Sequence, residues 1–176
     1  MKSKKSVLFA MMGIFAAASV QAQTGTVSIS GSVVGATCTI NGMNQTANFG
    51  NIDQAELQAL SNGNVHKQET MTIEVTACPS SISKVTITPT FTAELGNGPR
   101  IAYTGPMKGA GLWLVNGDDD KQMYSATGYS KDLVANATTF TLKPSLVRFT
   151  GGGQSGSANV VAGDFAATVN LAMTYE

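Results

Sequence analysis

The sequence predicts an all-β domain of the sandwich kind. Apolar and polar residues alternate with period two in one stretch after another, the pattern of strands with one buried face. Turn-forming clusters separate these stretches: Ser61-Asn62-Gly63-Asn64, Gly96-Asn97-Gly98-Pro99, Asn116-Gly117-Asp118 and Gly151-Gly152-Gly153. Glycine supplies 19 of 176 residues, and charged residues make up 12%, about half the roughly 25% of an ordinary soluble domain. Such a composition suits short strands joined by many turns.

Residues 1–22 read as an export signal. Lys2, Lys4 and Lys5 precede the uncharged apolar run Val7 to Ala18, and Val20-Gln21-Ala22 offers a cleavage site after Ala22. The run has 12 residues, against about 20 for a membrane-spanning helix. Removing 22 residues from 176 leaves 154, the size of one domain. The whole chain has 11 basic and 11 acidic residues; loss of three lysines takes the net charge from zero to −3. That balance excludes nucleic acid as a partner, because phosphate binding requires a basic surplus.

The first strand of the mature chain is Gly25 to Val34. One face carries Gly25, Val27, Ile29, Gly31 and Val33, and the other carries Thr and Ser until Val34. Gly31 lies on the apolar face, where a missing side chain signals close approach by another group. Cys38 and Cys78 follow; two cysteines in an exported chain predict a disulfide. Asp53 to Leu60 is the one helical candidate, of one or two turns. Met71, Ile73, Val75 and Ala77 form the next apolar face, and Val85, Ile87 and Phe91 another. Pro89 interrupts that run and predicts an edge or a bend. Leu112 and Leu114 flank Trp113, a core or half-buried residue; Phe140 with Leu142, then Val147 with Phe149, follow. The last strand runs from Phe165 through Val169, Leu171 and Met173 to Tyr175. An apolar strand ending a chain must be paired by a neighbour or leave an open edge.

The chemistry search finds no enzyme. His66 is the only histidine and lies beside a turn, as an exposed loop residue. Asp118-Asp119-Asp120 lacks the alternating spacing and distal Glu of a calcium loop and reads as a solvated turn. Gly151-Gly152-Gly153 lacks the Lys-Ser/Thr of a phosphate loop. Asn44-Gln45-Thr46 and Asn136-Ala137-Thr138 match the glycosylation sequon, a weak motif. No metal site, cofactor site or catalytic constellation is predicted.

Five segments, in order, resemble the chaperone–usher fimbrial subunits of the type 1 pilin kind. They are Gly25 to Val34 followed by Cys38-Thr39-Ile40; Phe49-Gly50-Asn51-Ile52; Ile73 to Cys78; Gly111-Leu112-Trp113-Leu114-Val115; and Gly163-Asp164-Phe165 through Tyr175. The resemblance implies an incomplete immunoglobulin-like β-sandwich that lacks its last strand and is completed by a donor strand from another chain. It implies residues 23–35 as a donor-strand extension and 36–176 as the pilin domain. The implied donor residues are Val27, Ile29, Gly31 and Val33. The implied acceptor edge is Phe165, Val169, Leu171 and Tyr175. The implied partners are neighbouring pilin subunits, a periplasmic chaperone and an outer-membrane usher, with export through the periplasm into a surface fimbrium. The alternative is a complete secreted sandwich that binds a ligand, with Val27 to Val34 as its own first strand. A tip adhesin of the family would carry a separate lectin domain, for which 154 residues leave no room.

Overall fold

Among residues 37–176, which the computed structural model describes, ten strands and one short helix follow in the order β1 (Thr39–Asn41), α1 (Gln54–Ala59), β2 (Val65–Gln68), β3 (Met71–Thr76), β4 (Lys84–Thr90), β5 (Arg100–Ile101), β6 (Ala110–Asn116), β7 (Lys121–Gln122), β8 (Tyr129–Asp132), β9 (Thr138–Arg148) and β10 (Asn170–Tyr175). They form two antiparallel sheets. The larger runs β1-β3-β9-β6-β5, with β2 also on β9 and β7 also on β6; the smaller runs β10-β4-β8. Ile73 and Val75 of β3, Val85 and Ile87 of β4 and Leu146 of β9 are fully buried and belong to one apolar cluster, so the inner faces of the two sheets close on each other. The predicted sandwich is present. The signal sequence and the Gly25 to Val34 strand lie outside the described residues.

β9 joins what the sequence presents as two short strands, and Pro144 lies inside it. The register explains why this is tolerated. β2 and β3 pair with β9 in one continuous frame, Gln68 opposite Ser145 and Met71 opposite Leu142. Pro144 falls in the gap between them: Glu69 N–H donates to Pro144 O at 3.0 Å, and the reciprocal bond is absent because proline has no N–H. Pro89 follows the same logic. It does not sit on an edge strand, as its ring suggests from sequence, because β4 is the central strand of the smaller sheet. The β8 ladder ends at Ile87, and beyond it Pro89 O accepts from Ala126 N at 2.8 Å. The missing N–H therefore faces a side that has already lost its partner strand.

The helix forms as expected. Asp53 is its N-cap, its carboxylate accepting from Ala55 N at 2.7 Å and Glu56 N at 3.0 Å. Leu57 is buried beneath it. The disulfide Cys38–Cys78 is formed. Closing a span of 40 residues contributes about 4 kcal/mol on the chain-entropy account. His66 corrects the sequence reading: it is half-buried in β2, at a bulge where Val65 pairs with Val147 and Lys67 with Leu146. A bulge adds one residue to a strand without a turn signal in the sequence.

The glycine-rich segment is held by buried charge. Arg148 is 1% exposed. Its Nη1 donates to the carbonyls of Gly109 at 2.6 Å, Phe149 at 2.8 Å and Ser157 at 2.9 Å, and Nη2 to Ala158 at 2.8 Å. Glu94 accepts from the backbone and hydroxyl of Ser155 and pairs with Arg100 at 3.5 Å. The Arg100 guanidinium lies 3.7 Å over the Phe149 ring, and Phe149 meets Trp113 edge-on at 5.3 Å. Trp113 is half-buried, as its sequence position suggests. These contacts fix residues 150–160 at one end of the sandwich.

Candidate functional site

Two neighbouring strands of the smaller sheet, the central β4 and the edge strand β10, differ in burial. Val85 and Ile87 on β4 are fully covered. Their partners across the ladder, Tyr175 and Met173 on β10, are only half-buried, as is Leu171. Among the described residues no strand lies beyond β10 in this sheet. The inner face of the last strand therefore borders an open groove.

The C-terminal segment is shorter as a strand than its alternation suggests. β10 begins at Asn170, opposite Thr90, where β4 ends. Residues 165–169 have no ladder partner on that side. Instead Ala166 exchanges hydrogen bonds with Thr104 at 2.8 and 3.0 Å. Gly105 permits this crossing: its φ is +119° and a Cβ there would overlap the Asp164 carbonyl. The chain thus passes from an isolated bridge with Thr104 to the β4 ladder within a few residues, with Phe165 beside the bridge.

Two clefts open along this segment. The longer, of about 460 Å³, has Ile73, Leu112, Leu114 and Leu142 among its floor residues, with Val169 and Leu171 on one wall. None of its lining residues is charged. The shorter, of about 470 Å³, lies between the helix and residues 160–165, with Leu57, Met107 and Val160 in its lining. Ala47, Phe49 and Phe165 line both. The Phe165 ring stands 6.2 Å from Phe49 and 6.2 Å, edge-on, from Tyr103, so an aromatic ridge divides the groove. Phe165, Val169 and Leu171 line it, and Tyr175, half-buried further along β10, lines neither cleft. The four expected donor residues lie outside the described residues. The groove floor was not singled out from sequence, because its residues read as ordinary core; only the topology leaves them uncovered.

Tyr103 backs the ridge. Its hydroxyl donates to Met107 O at 2.7 Å. Burial, with the Glu94 charge adding and Arg100 opposing, pushes its pKa up to about 12. A raised tyrosine pKa means the fold favours the protonated phenol, so this contribution is complete below the unfolded value near 10 and is lost as pH rises through 12. Wild type is expected to lose about 2–3 kcal/mol more than Tyr103→Phe across that interval. Chemical denaturation of both proteins at stepped alkaline pH checks it; parallel pH profiles would remove Tyr103 from the alkaline transition.

The acidic turn holds no metal constellation. Each carboxylate faces a lysine: Asp118 with Lys131 at 2.8 Å, Asp119 with Lys121 at 3.3 Å and Asp120 with Lys143 at 2.6 Å. Among the described residues no group of acidic, His or Cys side chains is placed to hold an ion.

A family model for fimbrial proteins matches residues 27–176. No curated protein sequence matches the chain. Among solved structures, the P pilus rod subunit PapA aligns with a TM-score of 0.63 at 19% identity, over 80% of this chain and 100% of its own. A chain of a chaperone–usher pilus, in a structure concerned with rod uncoiling, aligns at 0.64 and 20%, over 91% and 100%. The antigen and type I fimbria protein of Burkholderia pseudomallei aligns at 0.51 and 19%, over 80% and 90%. The shared fold is that of an immunoglobulin-like sandwich without its last strand. The chain belongs to the fimbrial protein family, and its fold is that of solved chaperone–usher pilus subunits.

Proposed function

We propose that this subunit polymerises by donor-strand exchange, its residues 23–35 filling the groove of a neighbouring copy. The half-buried inner face of β10 beside an uncharged cleft carries the reading. An added strand would pair with the free β10 edge and cover that face. In the periplasm a chaperone strand holds the groove until the usher exchanges it for the next subunit's extension. Burying Val27, Ile29 and Val33 contributes about 1.5–3 kcal/mol each, before backbone pairing.

The shape of the groove supports a register. The donor face has two large residues, Val27 and Ile29, before Gly31 and one, Val33, after it. The groove has a long arm along β10 on one side of the Phe165 ridge and a short cleft on the other. Gly31 over the ridge, where a side chain would strike aromatic rings, sends Val33 into the short cleft and Val27 and Ile29 into the long one. The donor then runs antiparallel to β10. Phe165, Val169, Leu171 and Tyr175 are the acceptor residues in this register.

Fibres sheared from cells that express the subunit with its chaperone and usher should run, unboiled in SDS, as a ladder of multimers. Deletion of residues 23–34 should abolish the ladder while leaving the chaperone complex in the periplasm. A ladder from the deleted subunit, or its accumulation as a soluble monomer without chaperone, would mean a sandwich complete in itself.

A further inference from the structure

Val134 is 78% exposed, the highest value among the exposed large apolar residues of the described chain. It begins a two-residue hairpin turn, exchanging hydrogen bonds with Ala137 at 2.9 and 3.1 Å. Ala135 and Asn136 have φ of +51° and +60°, the type I′ geometry, with an alanine where glycine or asparagine is preferred. The tip is anchored rather than loose. Cys78 N–H donates to Asn136 O at 3.1 Å, and Leu133 N–H to Ser83 O at 2.9 Å. The turn therefore stands beside Cys78 and its disulfide partner Cys38.

That location has a geometric consequence, which rests on the donor-strand reading above. If Val33 occupies the short cleft of a neighbour, only residues 34–37 separate it from Cys38. Five Cα steps span at most about 18 Å. That tether brings the disulfide, and with it the Val134 turn, within reach of the rim of the neighbour's short cleft. Val161 is on that rim, 43% exposed and held by paired hydrogen bonds to Lys108. We infer that the Val134 turn of each subunit docks on the Val161 rim of the copy whose groove takes its extension. The partner is a second copy of this chain, and the contact continues the donor-strand interface onto the outside of the domain. It covers an apolar residue on each side that the isolated domain leaves in water.

Cysteine pairing in assembled fibres tests this. A Val134→Cys, Val161→Cys double variant should form a ladder that survives boiling in SDS without reductant and collapses with it. The pair Val134→Cys, Tyr124→Cys, which uses a residue of similar exposure, 44%, should not. Because added thiols can disturb the native disulfide, a second arm uses none. Val134→Asp should lower surface fibre several-fold with the chaperone complex unchanged, and Val161→Lys in the same chain should restore it. Fibres that assemble normally with Val134→Asp, or a double-cysteine variant that links no better than its control, overturn the docking contact and leave donor-strand exchange standing. A wild type without any SDS-resistant ladder overturns the donor reading and this contact with it.

Discussion

Arg148→Met is expected to cost the subunit about 3–5 kcal/mol, because it removes four charge-assisted hydrogen bonds donated by one buried side chain. The side chain holds the carbonyls of Gly109, Phe149, Ser157 and Ala158 at once. Methionine fills similar volume but donates to none of them; Ser157 O is left without a donor, while Gly109 O, Phe149 O and Ala158 O keep Phe149 N, Ser157 N and Gln58 Nε2. Arg148→Lys should recover little, since a compact ammonium cannot span four acceptors as a planar guanidinium does. The loss should be greatest around residues 157–160, whose backbone the guanidinium holds and which border the short cleft. Lys121→Met is the comparison; its side chain is 78% exposed in a surface ion pair, and stability should be unchanged. Subunit yield with chaperone and the denaturation midpoint are the measurements. An Arg148→Met protein that melts with wild type would show that the four bonds hold nothing the fold needs.

Gly31→Leu is expected to stop fibre growth. In the proposed register Gly31 crosses the Phe165 ridge, where Phe165 and Phe49 face the groove. Adding methylenes to a packed core costs about 1–3 kcal/mol, and a leucine against these rings should fall at or above that range. The subunit's own fold and its chaperone complex do not use the extension and should be unaffected. Ser30→Leu, one residue away on the outward face, should assemble far better. Surface fibre and periplasmic chaperone complex are measured together. Equal polymerisation of the two variants would refute this register. A Gly31→Leu subunit that loses its chaperone complex would place the segment in its own sandwich.

Much of this architecture is legible in the amino-acid order, and the illegible part has identifiable causes. Met71 to Thr76 and Lys84 to Thr90 alternate cleanly because one face is buried, and both are strands where the pattern puts them. Asp53 declares the helix because a carboxylate can cap free amides. β5 and β7, of two residues each, leave no periodicity to read. Phe165 to Tyr175 alternates throughout, yet only its second half is a strand, since alternation records which side chains face inward and not whether a partner strand continues. Phe165, Val169, Leu171 and Tyr175 were legible as half-buried residues because they share that alternation. The groove floor and the Arg148 clasp were not, because Ile73 or Leu142 looks alike under a closed or an open roof, and an arginine's burial depends on carbonyls brought to it by distant segments.

Pro144 and Pro89 carry a further consequence for how the strands find one another. A one-residue slip in a half-buried strand turns its apolar face to water and is strongly disfavoured. A two-residue slip keeps every face correct, so hydrophobic patterning cannot reject it. Sliding β9 by two along the β2–β3 line would set Pro144 against Met71 or Lys67 instead of Glu69, whose bond it now accepts. Its ring would then shift the missing ladder bond from the Glu69 gap into β3 or β2, leaving a backbone acceptor within a strand without a donor. Sliding β8 along β4 towards Pro89 would meet the same obstacle. Each proline is therefore a vernier mark on a central strand, harmless in one alignment and obstructive in the neighbouring one that side-chain burial alone would accept.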